Sequence, residues 1–418
     1  MTRRRVAITG LAPLTPVGIG ADGFWRGVCA GRSATRRLER LPCGFPVETL
    51  SSRIVAALDD GELAAAGMAE RRDRRLAMGE LALRLACDDA GLADGLQGFE
   101  RSAVVVGSAV GAPLAVEAAF LGGEVAAGGF AAPERLIDLL CFHTLASWLA
   151  DRARCPGRSL TVSTGCTAGL DAIGLAFDLI RDGEADLVVA GSVEVPLTPV
   201  VFAAFDRIGA LSCRNDRPEA ASRPFDRHRD GFVLAEGAAL LVLEDRDHAL
   251  ARGARIYAEL CGFASLSNGY HMTNLPADGR ALAVCIRRAL ADAGAPPESV
   301  DHVNAHGSST QQNDLCETNA VKAAFGRRAD RMTVNSLKAM IGHALGASNA
   351  IEVAACALSL HHGYLFPTLN LEEPGDGCDL DFVAGVGRAA AVERMVKLSS
   401  GFSGIHSALV LSAAAGTA

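Results

Sequence analysis

Short, unbroken apolar runs rich in β-branched residues recur along this chain. Most are followed by a longer Ala- and Leu-rich stretch with helical spacing. A strand that is apolar at every position needs cover on both faces, so the pattern requires sheets sandwiched between helix layers. In the first part, strands are expected at 6–11, 104–106, 187–191 and 239–243, and a helix over 168–181. The second part repeats the style. It has a strand at 256–261, an amphipathic helix over 281–294, strands at 300–305 and 332–335, and a helix over 347–361. Residues 397–402 then lead into a last strand at 408–411. The repetition predicts an α/β fold duplicated about residue 250, with halves of residues 1–250 and 251–418. Residues 122–154 show no clear period and are read as covering the site or a partner surface.

At 418 residues the chain is long enough for one large domain or two fused halves. Apolar residues at 50% and charged residues at 21% fit a sizeable core. A net charge of −8, a pI near 5.7 and only 5% aromatics argue against a nucleic-acid partner. The basic start Arg3-Arg4-Arg5 precedes an apolar run that meets Pro13 and Pro16. That run is too short for a secretory signal and reads as a buried first strand. No uninterrupted apolar stretch approaches the length of a membrane span. The twelve cysteines include no C-x-x-C pair, and Cys87, Cys285 and Cys356 lie in apolar runs. They read as reduced, buried thiols of a cytoplasmic protein, and no Cys/His set has zinc-ligand spacing.

Cys166 stands in Ser163-Thr164-Gly165-Cys166-Thr167-Ala168-Gly169, after a β-like run and at the start of a helical one. A helix N-terminus lowers a thiol's pKa, and the Cys166 backbone N–H is placed to serve an oxyanion. A lone cysteine there would be a small buried hydrophobe, but the Gly- and Thr-rich flanks favour a nucleophile. His306 ends a strand and precedes Gly307-Ser308-Ser309, a position that points into a cleft. His343 lies in Ile341-Gly342-His343-Ala344, shortly after Lys338. A buried Lys338 needs a carboxylate, and Asp314 and Glu317 are the candidates. One thiol and two imidazoles around one site point to acyl-thioester chemistry.

Several longer motifs occur in order: Val162 to Asp171, Ser222 to Gly237, Tyr270-His271-Met272-Thr273-Asn274, Asn304 to Thr310, Ser336 to Ala347, and Ser400-Gly401-Phe402-Ser403-Gly404. Through them, residues 3 to 412 resemble the β-ketoacyl-acyl carrier protein synthases of the thiolase superfamily. The resemblance is greatest to the ketosynthase alpha subunit of type II polyketide synthases. It implies a thiolase-like duplicated αβαβα layered fold, with the nucleophile in the first half and both histidines in the second. It implies that Cys166 takes the acyl chain as a thioester, and that His306 and His343 bind the malonyl thioester and assist decarboxylation. Backbone amides of Cys166 and Phe402 would hold the oxyanion, and Phe402 would gate the acyl pocket. Lys338, Glu317 and Asp314 would support the histidines, and Phe232 and Thr310 would line the substrate pocket.

No metal or organic cofactor is implied, because substrates ride on the phosphopantetheine arm of an acyl carrier protein. The implied partner is a chain-length factor, a paralogue without the active cysteine, in a heterodimer. The run Leu160-Thr161-Val162-Ser163 is the expected dimer-edge strand. The chain departs from the family at Ser403, where a Gly-Phe-Gly-Gly turn is common. It departs also at Ile405-His406, where fatty-acid enzymes often carry Thr-Asn. A homodimeric fatty-acid β-ketoacyl synthase remains the nearest alternative. A non-catalytic chain-length-factor subunit is disfavoured by Cys166 and both histidines. A thiolase is disfavoured by the second histidine.

Overall fold

The fold is known from a computed structural model, which describes residues 3–69, 73–121 and 140–414. Its main sheet is built from β1 (Val6–Thr15), β2 (Ser102–Gly107), β3 (Arg158–Val162), β4 (Leu187–Glu194) and β5 (Gly237–Asp245) in the first half. The second half supplies β6 (Ala258–Ser267), β7 (His302–Asn304), β8 (Thr333–Asn335), β9 (Arg394–Ser400) and β10 (Ile405–Ala413). Across the sheet the order is β8-β7-β9-β10-β6-β1-β5-β4-β2-β3. Read outward from the centre, both halves follow one plan: first strand, fifth, fourth, second, third. The antiparallel and parallel pairings match as well, with β2 parallel to β3 and β4, and β7 parallel to β8 and β9. The halves join where Val6, Ala7 and Ile8 pair antiparallel with Leu260, Glu259 and Ala258.

The helices that matter here are α1 (Arg74–Asp89), α2 (Thr144–Arg152), α3 (Ala168–Arg181), α4 (Pro199–Arg207), α5 (Arg280–Asp292), α6 (Gln311–Phe325), α7 (Lys338–Ile341) and α8 (Gly346–His362). They make the layers that the all-apolar strands demand. Helices α1 and α2 cover the outer face of the first half, with Leu81, Leu145, Val104 and Leu240 in one core. Helix α5, with α6 packed on it, covers the outer face of the second half, with Ile286, Val321 and Val410 in another. Between the half-sheets lie α3 and α8, and each touches strands of both halves. This central pair explains why α8 is buried from Gly346 to Leu360. A helix enclosed on all sides reads as apolar all round, and its one carboxylate, Glu352, must find partners inside.

The sequence reading places most of these elements, with differences at their ends. The 408–411 strand is the centre of a longer β10, and the segment leading into it is itself a strand, β9. The reading of 122–154 as a cover for the site or a partner surface is corrected in part. Helix α2 packs Leu145, Ala146 and Leu149 into the outer core, so 144–152 is scaffold. Residues 122–139 lie outside the described residues. Strand β3 does sit at the end of the sheet, and among the described residues it pairs only with β2. Among the described residues no helix is long and apolar enough to cross a membrane.

Candidate active site

Strand β3 delivers the chain to Gly165, whose φ of +63° turns it into a single 3₁₀ turn and then α3. Asp171, one turn into α3, accepts hydrogen bonds from the hydroxyls of Thr164, Thr167 and Ser407, and so pins the turn from within. A Cβ at Gly169 would sit 2.4 Å from the Gly346 carbonyl oxygen, so only glycine lets the starts of α3 and α8 meet. Cys166 stands on this turn, and its sulfur accepts from the backbone N–H of Phe402 and from its own. Burial nevertheless pushes the thiol up to about 11, against the pull of the Lys338 cation. This corrects the expectation of an acidic thiol. Desolvation of the thiolate outweighs the short reach of the helix terminus.

His306 follows β7, and His343 follows α7 through Gly342. Their rings meet edge to face, 5.1 Å apart with an interplanar angle of 82°. The hydroxyl of Ser348 lies 2.9 Å from His343 Nδ1, which leaves Nε2 for the cavity. Both imidazoles are held well below the usual histidine range, first by burial and then by the Lys338 cation. They are therefore neutral at physiological pH, and each carries one N–H to donate.

Behind the histidines the charges differ from expectation. Lys338 does not pair with Asp314 or Glu317. Its ammonium donates to Glu352 at 2.6 Å and to the His306 carbonyl oxygen at 2.6 Å. Glu317 instead receives the backbone N–H groups of His306 and Gly307, both at 2.6 Å, and a bond from Asn313. Its carboxyl is pushed up to about 7 by burial. Asp314 sits farther back, where it accepts the Phe225 N–H at 2.7 Å and faces Arg229 at 3.6 Å. Its hydrogen bonds and ion pair go to Phe225, Asn313 and Arg229 rather than to either imidazole. The reason is which helix carries each carboxylate: the first turns of α6 bring Glu317 to the His306 and Gly307 N–H groups, while α8 brings Glu352 to Lys338.

Cys166, His306, His343, Phe232, Thr310 and Phe402 all line one cavity of about 280 Å³. Thr310 also caps α6, its hydroxyl accepting the Asn313 N–H. An aromatic chain runs along one wall, from Phe402 to Phe205 (6.0 Å), to Phe232 (5.5 Å) and to His343 (5.1 Å). Phe402 is 36% exposed at the mouth. Beside it Ser403 has φ of +67°, a left-handed conformation that suits the glycine it replaces, so this departure from the family pattern carries local strain. The Ser403 N–H bonds the Met272 carbonyl, which ties this turn to the exposed 270–274 loop.

The sequence reading missed Glu352, Ser348, Lys397 and Phe205. A single carboxylate in the apolar run Ile351-Glu352-Val353 and a lysine in Val396-Lys397-Leu398 were the available signals, because a charge there must be paired. Among the described residues no cluster of three His, Cys, Asp or Glu side chains could hold a metal.

Residues 3–249 match the model of the beta-ketoacyl synthase N-terminal domain, and residues 257–372 that of its C-terminal domain. The chain is 43% identical to the tetracenomycin polyketide synthase ketoacyl synthase alpha subunit of Streptomyces glaucescens, covering 98% of each. It superposes with a TM-score of 0.89 on the solved AntDE:AntF complex, a type II PKS acyl-carrier protein with its ketosynthase bound to the hexaketide. The identity is 38%, over 99% of this chain and 100% of that one. The ishigamide ketosynthase/chain length factor gives the same TM-score at 34% identity, over 99% and 100% of the two chains.

Proposed function

The chain belongs to the beta-ketoacyl synthase family, and from that premise we propose that it is the ketosynthase alpha subunit of a type II polyketide synthase. It condenses malonyl units, carried on an acyl carrier protein, with an acyl chain held on Cys166. The observation that carries the reading is one cavity lined by a thiol and two imidazoles that burial and a lysine keep neutral.

In the first half-reaction Cys166 Sγ attacks the carrier's acyl thioester. The thiol proton leaves as the C–S bond forms, and the carrier's thiolate departs and takes up a proton. Backbone N–H groups of Cys166 and Phe402, which both reach the sulfur, are placed to hold the oxyanion. In the second, the malonyl thioester oxygen accepts N–H donation from His306 and His343. The bond to the carboxylate breaks, CO2 leaves, and its electron pair enters the enolate that these donors stabilise. The enolate carbon then attacks the acyl-Cys166 carbonyl, and the tetrahedral adduct expels Sγ, which is reprotonated. Lys338 and Glu317 act as positioning residues: they hold the carbonyl and the N–H of His306 respectively.

We read residues 1–250 and 251–418 as the two duplicated halves, the first carrying Cys166 and the second both histidines. The working unit is taken to be a heterodimer with a chain-length factor through the β3 edge, in the cytoplasm, where the twelve free cysteines stay reduced. The test is intact-mass analysis after incubation with an acyl-loaded carrier protein, alongside CO2 release from malonyl-carrier. Acyl mass on the Cys166 peptide with CO2 release supports the reading. Acyl mass on a Cys166→Ala variant would overturn it.

A further inference from the structure

Strand β9 carries an ammonium through the middle of the protein. Lys397 has no exposed side-chain surface, and its neighbours Met395, Val396 and Leu398 are buried as well. Its charge stands 2.7 Å from one Glu352 oxygen, while Lys338 holds the other at 2.6 Å. Lys397 also donates to the carbonyl oxygens of Leu398 at 2.5 Å and Ala305 at 3.4 Å. Ala305 directly precedes His306, whose own carbonyl Lys338 holds. Two ammoniums thus grip consecutive carbonyls of the His306 turn and share one carboxylate.

The surrounding charges balance this pair only where Glu317 is ionised. Glu352 and the thiol of Cys356 face it from α8, and Lys338 from α7. From α6 come Glu317, which receives the backbone N–H groups of His306 and Gly307 and acts through space on both lysines, and Asp314, which faces Arg229. The remaining titratable neighbours are His306, His343 and, from β10, His406. Burial pushes the Glu317 carboxyl up to about 7, so below that pH it is protonated, and two lysines against the one ion-paired carboxylate of Glu352 leave positive charge on the side of the imidazoles.

We propose that Lys397 is a positioning residue for condensation: with Lys338 it clamps Glu352 and the Ala305–His306 carbonyls, so that a fixed positive charge stands behind both imidazoles and keeps them as neutral N–H donors. This rests on the condensing-enzyme reading above. Its second support is that Lys397, like Lys338, contributes to holding both histidines below their usual range. The sign follows directly: removing a nearby cation makes the imidazoliums easier to form.

The experiment is the pH profile of CO2 release from malonyl-carrier, for the wild-type enzyme co-expressed with its paralogue and for Lys397→Met, Lys397→Gln and Lys397→Arg. Removing the Lys397 charge leaves Lys338 and Glu352 paired one to one, and the glutamine amide can still donate to the two carbonyls. The neutral variants should move the acidic limb upward by about one pH unit, roughly a tenfold loss on that limb. Lys397→Arg should keep the wild-type limb. A neutral variant that loses rate equally at every pH, with the limb unmoved, would overturn the proposal and leave Lys397 a packing role. A second reading needs no variant: ¹⁵N ring spectra of the wild-type histidines should show His306 and His343 neutral at pH 6, and an imidazolium on either would also overturn it. A wild-type enzyme that releases no CO2 would instead count against the condensing-enzyme reading, and ring spectra of Lys397→Gln beside the wild type would still decide the role of Lys397, since imidazole titrations unmoved by the substitution would overturn it.

Discussion

The half-buried thiol of Cys166 gives a direct test of which force governs the nucleophile. Burial pushes it up to about 11, against a starting value of 9.0. At pH 7.5 this leaves about 1 thiolate in 3,000, roughly a hundredfold fewer than an unperturbed thiol of that starting value would show. The free enzyme therefore keeps Cys166 as a thiol, and the charge appears only as the acyl bond forms or breaks. Iodoacetamide labelling, followed by mass analysis of the Cys166 peptide, reads the thiolate fraction. Between pH 6.5 and 9.5 its rate should climb about tenfold per unit, close to a thousandfold in all, without levelling. A free thiol peptide in the same tube should flatten toward the top of that range. Lys338→Met should push the thiol higher still, because the Lys338 cation opposes the rise. A plateau in wild-type labelling at or below about pH 8 would refute the reasoning, and would show that the helix terminus and oxyanion amides dominate desolvation.

Other outcomes follow from the same geometry. His306→Ala and His343→Ala should each slow CO2 release from malonyl-carrier by about 10²–10³, as for loss of one oxyanion donor, while acylation of Cys166 survives better; single-turnover assays of the two half-reactions separate these effects. Ser348→Ala removes the group that fixes the His343 ring, and should lower CO2 release by about tenfold with little change in melting temperature. Glu352→Gln strands two buried ammoniums, and should destabilise the fold by about 3–5 kcal/mol, measured by denaturant melts. Strand β3 is an edge with Leu160 and Val162 only half-covered, so the chain expressed alone should be less soluble than with its paralogue; a stable, fully active monomer in sedimentation analysis would sink that expectation, and an active homodimer would favour the fatty-acid-synthase alternative.

The layered plan was legible in the sequence because strands buried on both faces cannot alternate in polarity, so runs such as 187–191 and 239–243 announce themselves without alignment. Cys166, His306 and His343 were legible for a related reason: each sits in a Gly- and small-residue-rich turn, where a reactive group can approach a substrate. Strand β9 was harder to see, because Lys397 and the serines at its end interrupt its apolar run. The partner of Lys338 was not identified, although Glu352 in its apolar run signalled a buried charge in need of one. Glu317 and Asp314 were the carboxylates that the motif pattern offered, but pairing inside a core depends on which helix passes beneath, and that is α8 with Glu352. The thiol's acidity was likewise a tertiary matter. A helix N-terminus is written in the local sequence, whereas the desolvation that overrides it arises in a cavity that Cys166 shares with Phe402, His306 and His343, segments brought together only by the tertiary fold. Local order and apolar period were thus fixed along the chain, and the charge states of the site were decided by what packs around it, since ionisation energy depends on surroundings that no single segment contains.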